Sequence, residues 1–191
     1  MSFVDIVYID LANRLLDEAG FPRKDGQTRF SLRLLFNPAQ DKRLAEHFRQ
    51  ALRSIGIDAA IESNDFATYV KVVYSDRAFD LTSENLNNAF DPTVGVQRVY
   101  WSKNFKAGLP LSNAAHYANP EVDKLLESAA REPDVEKRRS LFFDFQRLII
   151  DDVPAINTVA PAEVLVYNKR VRNFALCDEG LRHNFADTYL Q

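Results

Sequence analysis

FDLTSENLNNAFDPTVGVQRVYW, residues 79–101, is the stretch that decides how the chain folds. Phe79 and Leu81 alternate with Asp80 and Thr82, the pattern of a short strand with one buried face. The chain turns polar at Glu84 and Asn85, and a loop holding Asn85, Asn87 and Asn88 leads to Asp91-Pro92. The residue before a proline avoids the helical region, whereas proline suits the first helical position, so Asp91 is placed to cap a helix carrying Arg98, Tyr100 and Trp101. A strand that ends in amides and feeds a helix N-terminus is the usual seat of a ligand in an open α/β sheet. The same residues also read as a plain polar crossover, because loops are polar in any case.

Upstream, Phe30, Leu32, Leu34 and Phe36 alternate with Ser31 and Arg33, which predicts a strand that Asn37-Pro38 stops. Leu44, Phe48, Ala51, Leu52 and Ile55 recur at helical spacing, and Gly56 closes that helix. A strand over residues 57–61 follows. Strand, helix and strand in this order imply a right-handed parallel βαβ unit. Asp65 is placed to cap a further helix with Phe66, Tyr69, Val70 and Val73 on one side, leading into the strand over 79–83. Ahead of all this, a helix starting at Asp10 carries Leu11, Leu15 and Ala19 and ends at Gly20.

Downstream, residues 102–117 read as a long loop, a length usually reserved for function or disorder. Asn119-Pro120-Glu121 starts a helix with Val122, Leu125, Leu126 and Ala129 on its buried stripe. Pro133-Asp134 starts another, with Leu141, Phe142, Phe145, Leu148 and Ile149 as the main stripe. Phe143 and Ile150 lie on its opposite side, so this helix is expected to be covered twice. Residues 155–159 and 164–167 read as short strands. The tail over 168–191 is apolar but aperiodic, with Phe174, Leu176, Phe185, Tyr189 and Leu190.

A chain of 191 residues can bury one real core. Its net charge of −3, with no dominant Lys/Arg cluster, argues against nucleic acid as a partner. No GxGxxG or GxxxxGK motif is present to cradle phosphate. The single cysteine, Cys177, cannot form an internal disulfide and excludes a CxxC site. It fits a reduced cytoplasm, and equally an exported protein without disulfides. The opening MSFVDIVYID lacks a basic region followed by a long apolar one and is not itself a signal peptide. No apolar run approaches the length of a membrane span.

An acid–base or nucleophilic site needs a nucleophile, a base and an orienting group within reach. Asp91, His116, Ser112 and Cys177 are the candidates, without a GxSxG elbow or a cysteine signature to support them. A small hydrolase-like α/β enzyme would rest on Asp91 and His116. The acidic pairs Asp151-Asp152 and Asp178-Glu179 read as a helix end and a surface turn. The scattered histidines offer no metal-ligand spacing, so neither metal nor cofactor is expected.

Read in order, ANRLLDEAGFPR (12–23), RFSLRLLFN (29–37), KRLAEHFRQALRSIGIDAAIES (42–63) and the stretch 79–102 resemble one family. The ordered set NPEVDKLL, KRRSLF, QRLIIDDVPAI and YNKRVRNF, between residues 119 and 174, is its most specific part. Together they are similar to the C-terminal lobe of extracellular solute-binding proteins of ABC importers, of the dipeptide/oligopeptide/nickel type (family 5).

The resemblance implies an α/β fold: one lobe of a type II periplasmic-binding-protein architecture, with a mostly parallel mixed sheet and helices on both faces. It implies a non-enzymatic periplasmic receptor that closes two lobes around a peptide or peptide-like solute and delivers it to membrane permease subunits. Members are much longer, so residues 1–191 are expected to be a single-domain fragment, with 168–191 packing on an absent N-terminal lobe. The implied ligand-binding residues are Asn85, Asn87, Asn88, Asp91, Arg98 and Trp101. One departure stands out. Peptide-binding relatives often carry an aspartate for the peptide's amino group where this chain has Asn88, and a tryptophan where it has Asn85. An amide cannot make the same charge-paired bond. Read without the resemblance, the apolar tail would instead suggest a protein-interaction domain.

Overall fold

Strand β1 (Phe30–Phe36) runs between β2 (Ile57–Glu62) and β3 (Leu81–Ser83), parallel to both, in the computed structural model of the chain. Residues 3–24, 26–86, 91–95, 97–158, 164–174 and 185–191 are described. Asn87, Asn88, Cys177, Leu176 and the pair Asp178-Glu179 therefore lie outside the described residues. The chain divides into two compact units, Met1–Pro154 and Ala155–Gln191.

In the first unit, Phe30 is opposite Ile57 and Leu34 is opposite Leu81, the parallel βαβ register expected from the sequence. Alternate side chains leave a strand on opposite faces, so β1 builds two cores. Leu34 and Phe36 pack with Ala59 and with Ala45, Phe48 and Leu52 of one helix. Leu35 packs on the other face against Tyr69, Val73 and Tyr74. This burial on both faces is why the strand ends in the unbroken apolar run Leu34-Leu35-Phe36.

Helix α1 (Phe3–Glu18) begins well before Asp10, and its predicted stripe is not buried: Leu11 and Leu15 are exposed. Arg29 anchors this helix instead. Its guanidinium donates to Asn13 Oδ1 at 2.9 Å and also meets Asp17, while its Nε donates to the carbonyl of Ile55 at 2.9 Å. Helix α2 (Lys42–Ser54) is capped by Asp41, whose side chain accepts from the Arg43 N–H at 2.9 Å. Gly56, at φ +84°, turns the chain into β2.

Helix α3 (Phe66–Val70) is capped by Asp65 and continues directly as a π-helix, Lys71–Asp76. Tyr69 and Val73 are buried as predicted, but Phe66 faces solvent. Beyond β3, Asp91 caps α4 (Pro92–Gly95) through the N–H and hydroxyl of Thr93, at 2.9 and 2.6 Å. Helix is described over Pro92–Gly95 (α4) and Gln97–Tyr100 (α5), with Val96 outside the described residues, and Trp101 follows in extended conformation before a 3₁₀ turn, Ser102–Asn104.

The loop to residue 117 is organised by the fully buried Asn113. Its amide donates to the carbonyls of Trp101 and Tyr117 and accepts from the Tyr117 N–H. Helices α6 (Pro120–Ala129) and α7 (Val135–Asp152) form a hairpin capped by Asn119 and Asp134. Val122, Leu126 and Phe145 form its core, with Tyr100, Trp101 and Tyr117 packed against them. Phe143 and Ile150 are exposed, so the second covering layer expected for α7 is not found among the described residues.

In the second unit, β4 (Val171–Arg172) pairs antiparallel with β5 (Tyr189–Leu190). Phe174 stacks on Phe185 with centroids 5.7 Å apart and meets Tyr167 at 4.9 Å. The strands expected at 155–159 and 164–167 are not formed at residues 155–158 or 164–167. Val166 is 93% exposed. Alternation of apolar residues marks a segment that can be a strand, but ladder hydrogen bonds from a neighbour must make it one.

Candidate functional site

The sheet order places the site. From β1 the chain crosses to β2 on one side and then returns to β3 on the other, so the connections diverge at the carboxyl ends of β1 and β3. Such a switch point opens a crevice where ligands bind in α/β sheets. Here the Asn37 N–H bonds the Ser83 carbonyl at 3.1 Å, joining the two strand ends.

Glu84, the first residue after β3, is the hub of this edge. Its Oε1 accepts from Asn37 Nδ2 at 2.8 Å, Gln40 Nε2 at 3.3 Å and the Asn85 backbone N–H at 3.0 Å. Its Oε2 accepts from the hydroxyls of Tyr69 at 3.0 Å and Tyr74 at 3.2 Å. Tyr69 also shares a 2.9 Å bond with Thr82 Oγ1. Burial, reinforced by the Glu84 charge, pushes both phenols above the ordinary tyrosine range, so they remain protonated donors. Asn85 and Leu86 beyond this hub are exposed.

The other predicted site residues have local partners. Asp91 accepts from Thr93 and from the Arg138 guanidinium of α7. The Arg138 hydrogen bond, followed by those from Thr93, lowers its carboxyl to about 2. Arg98 lies in α5, and its carbonyl accepts from Asn104 Nδ2 at 2.8 Å. The indole N–H of Trp101 donates to Glu127 Oε1 at 3.1 Å, and Lys103 Nζ sits 5.7 Å from the ring centroid. Trp101 is thus engaged with α6. Asn85 sits on the hub, whereas Asp91 and Trp101 hold the loop's far end to the helical hairpin. The exposed His116 lies against Phe105, ring centroids 4.4 Å apart, so the two candidates for acid–base chemistry have different neighbours.

Asn37, Gln40, Tyr69, Tyr74 and Glu84 escaped the sequence reading as site residues. Asn37 reads as a strand stop, Glu84 as the start of a polar turn, and Tyr69 as part of a helix's apolar side. An exposed amide beyond a filled carboxylate both donates and accepts, which suits a neutral polar backbone. Among the described residues, no group of three His, Cys, Asp or Glu side chains is placed to hold a metal ion. No described helix is long and apolar enough to cross a membrane.

Residues 5–108 match the model of bacterial extracellular solute-binding proteins, family 5 Middle. The chain is 30% identical over 151 residues to protein XP55 of Streptomyces lividans, covering 74% of this chain and 26% of that protein. It is 36% identical over 97 residues to the probable D,D-dipeptide-binding periplasmic protein DdpA of Escherichia coli, covering 50% and 18%. In structure it is similar to the ABC transporter-associated periplasmic binding protein DppA of Helicobacter pylori, solved with the peptide STSA. That likeness has a TM-score of 0.63 at 22% identity and covers 74% of this chain and 27% of the other. The α/β fold is accordingly that of a type II periplasmic-binding-protein lobe. The chain spans about a quarter or less of the length of these relatives.

Proposed function

The chain belongs to the bacterial extracellular solute-binding proteins of family 5, and from that premise we propose that it supplies one wall of an interlobe cleft that captures a peptide or peptide-like solute for an ABC importer. The observation that carries this reading is the switch point between β1 and β3, from which the asparagine loop emerges beside Glu84. Asn85, Asn87 and Asn88 can each donate and accept, as the backbone of a short peptide requires. Asp91 and Arg138 fasten the far end of that loop, and Arg98 and Trp101 continue its wall. The partners of the complete protein are then the solute, a second lobe and membrane permease subunits. Its place is outside the cytoplasm, as for the family, and it turns over no substrate. The names of DdpA and of the peptide-bound DppA structure support a peptide-class solute.

Calorimetric titration of the complete gene product with a panel of alanine di- to pentapeptides tests this reading. Binding by at least one member, weakened in Asn88→Ala without a change in folding, is the expected result. Unchanged affinity in that variant would make the loop a bystander, and silence across the panel would remove the peptide class.

A further inference from the structure

Tyr69 and Tyr74 reach the same oxygen of Glu84 although they are five residues apart. In an α-helix each residue advances about 100°, so residues five apart point about 140° away from each other. The π-helix removes that obstacle. The helix that begins as α3 widens at Lys71, and the Arg77 N–H closes an i→i+5 bond on the Val72 carbonyl. The two rings then meet edge-on, centroids 6.3 Å apart at 76°, with both hydroxyls on Glu84. Turns of this kind are rare and concentrate at functional sites.

The carboxylate has no capacity left for a solute. It offers about four lone-pair sites, and Asn37, Gln40, the Asn85 N–H, Tyr69 and Tyr74 already supply five donors. Asn37 and Gln40 come from the turn after β1, Tyr69 and Tyr74 from the helix packed on the sheet, and the fifth donor is the backbone at the start of the loop. The buried tyrosines make the arrangement stiff, because an unpaired phenol there has no solvent to turn to.

We propose that Glu84, clamped by Tyr69 and Tyr74 across the π-helix, is the positioning residue of the binding loop: it fixes the backbone at Asn85 before the solute arrives and does not contact the solute. This rests on the solute-receptor reading above. It assigns recognition to the asparagine loop that starts at the exposed Asn85, and preorganisation to the carboxylate behind it.

The test has two arms. The first is amide hydrogen exchange at Asn85, which needs no ligand. Glu84→Ala should speed exchange there by about tenfold or more, the scale of one lost charge-assisted bond. Glu84→Gln should restore most protection, because an amide can accept from Asn37 and Asn85 on one side and donate to the phenols on the other. Tyr74→Phe keeps the ring packing while removing one clamp bond, and should give an intermediate acceleration even where Glu84→Ala does not fold. The second arm is the affinity of the complete gene product for tetra-alanine, expected to fall about tenfold in Glu84→Ala and to recover in Glu84→Gln. Unchanged Asn85 exchange in both Glu84→Ala and Tyr74→Phe overturns the positioning role. Faster exchange with unchanged tetra-alanine affinity overturns its link to binding. If the unmodified protein ignores tetra-alanine and the rest of the panel, the solute reading fails while the exchange arm still decides what Glu84 holds.

Discussion

The Asp91 carboxylate at the start of α4 is bonded to the Arg138 guanidinium in the first turn of α7, 47 residues later. This contact fastens the end of the asparagine loop to the helical hairpin. Its pH dependence follows from the sign of the shift. The Asp91 carboxyl is held at about 2 against an ordinary value of 3.8. A group lowered on folding stabilises the protein above its unfolded value and loses that contribution as pH falls through its folded value. Asp91→Asn should therefore be less stable than the parent at pH 5, with the difference closing between about pH 4 and pH 2. Both side chains are partly exposed, so the ion pair adds no more than about 1 kcal/mol. Thermal unfolding of the two proteins across that range is the check, and a pH-independent gap would refute the assignment.

Arg29 is the second test. Its side chain is 2% exposed and serves Asn13, Asp17 and the carbonyls of Phe21 and Ile55. Asn13 is itself oriented by a 2.9 Å bond from its amide to the Ile9 carbonyl. Arg29→Met keeps much of the side-chain bulk but leaves those acceptors unpaired. A loss of about 2–4 kcal/mol is expected, read by chemical denaturation. Exchange should rise first in α1, whose leucines provide little apolar anchorage.

Gly56 gives the third. At φ +84° any side chain is strained, and an added Cβ would lie 3.2 Å from Arg29 Cγ and 3.3 Å from Arg23 Cδ. Gly56→Ala should destabilise by about 1–2 kcal/mol. It should also disturb the Arg29 bond to the neighbouring Ile55 carbonyl, so its effect and that of Arg29→Met should not add. Additive losses would mean that the turn and the arginine act independently.

These residues also mark what the sequence could convey. The β1–α2–β2 unit was legible because its period switches cleanly from two to 3.6, with Asn37-Pro38 and Gly56 as stops. The helix caps at Asp65, Asn119 and Asp134 were legible because capping is local chemistry. Arg29 was not, since its partners lie up to 26 residues away. Nor was the Glu84 hub: Tyr69 and Tyr74 fall on one α-helical face only if the helix changes pitch, and nothing in their spacing announces a π-turn. The strand pattern at 164–167 failed for the opposite reason. Its local propensity was real, but a strand also needs a neighbour to pair with.

The last prediction concerns this chain by itself. On the solute-receptor reading, affinity comes from desolvating a peptide between two walls and from contacts completed by hinge closure. The chain spans 26% of the length of XP55, and its described amide at the crevice, Asn85, is exposed. Tenfold in affinity is about 1.4 kcal/mol, and one hydrogen bond to a charged group contributes about 1.5–3 kcal/mol. Losing two such bonds from an absent wall costs at least about a hundredfold. The 191-residue chain should therefore bind tetra-alanine at least about a hundredfold more weakly than the complete gene product. Exposed Phe143 and Ile150 on α7 should meanwhile promote self-association of the isolated chain as concentration rises. Parallel calorimetric titrations, run at concentrations where sedimentation finds a monomer, separate the two effects. Equal affinities would show that this lobe carries the whole site, and the two-walled cleft would have to be abandoned.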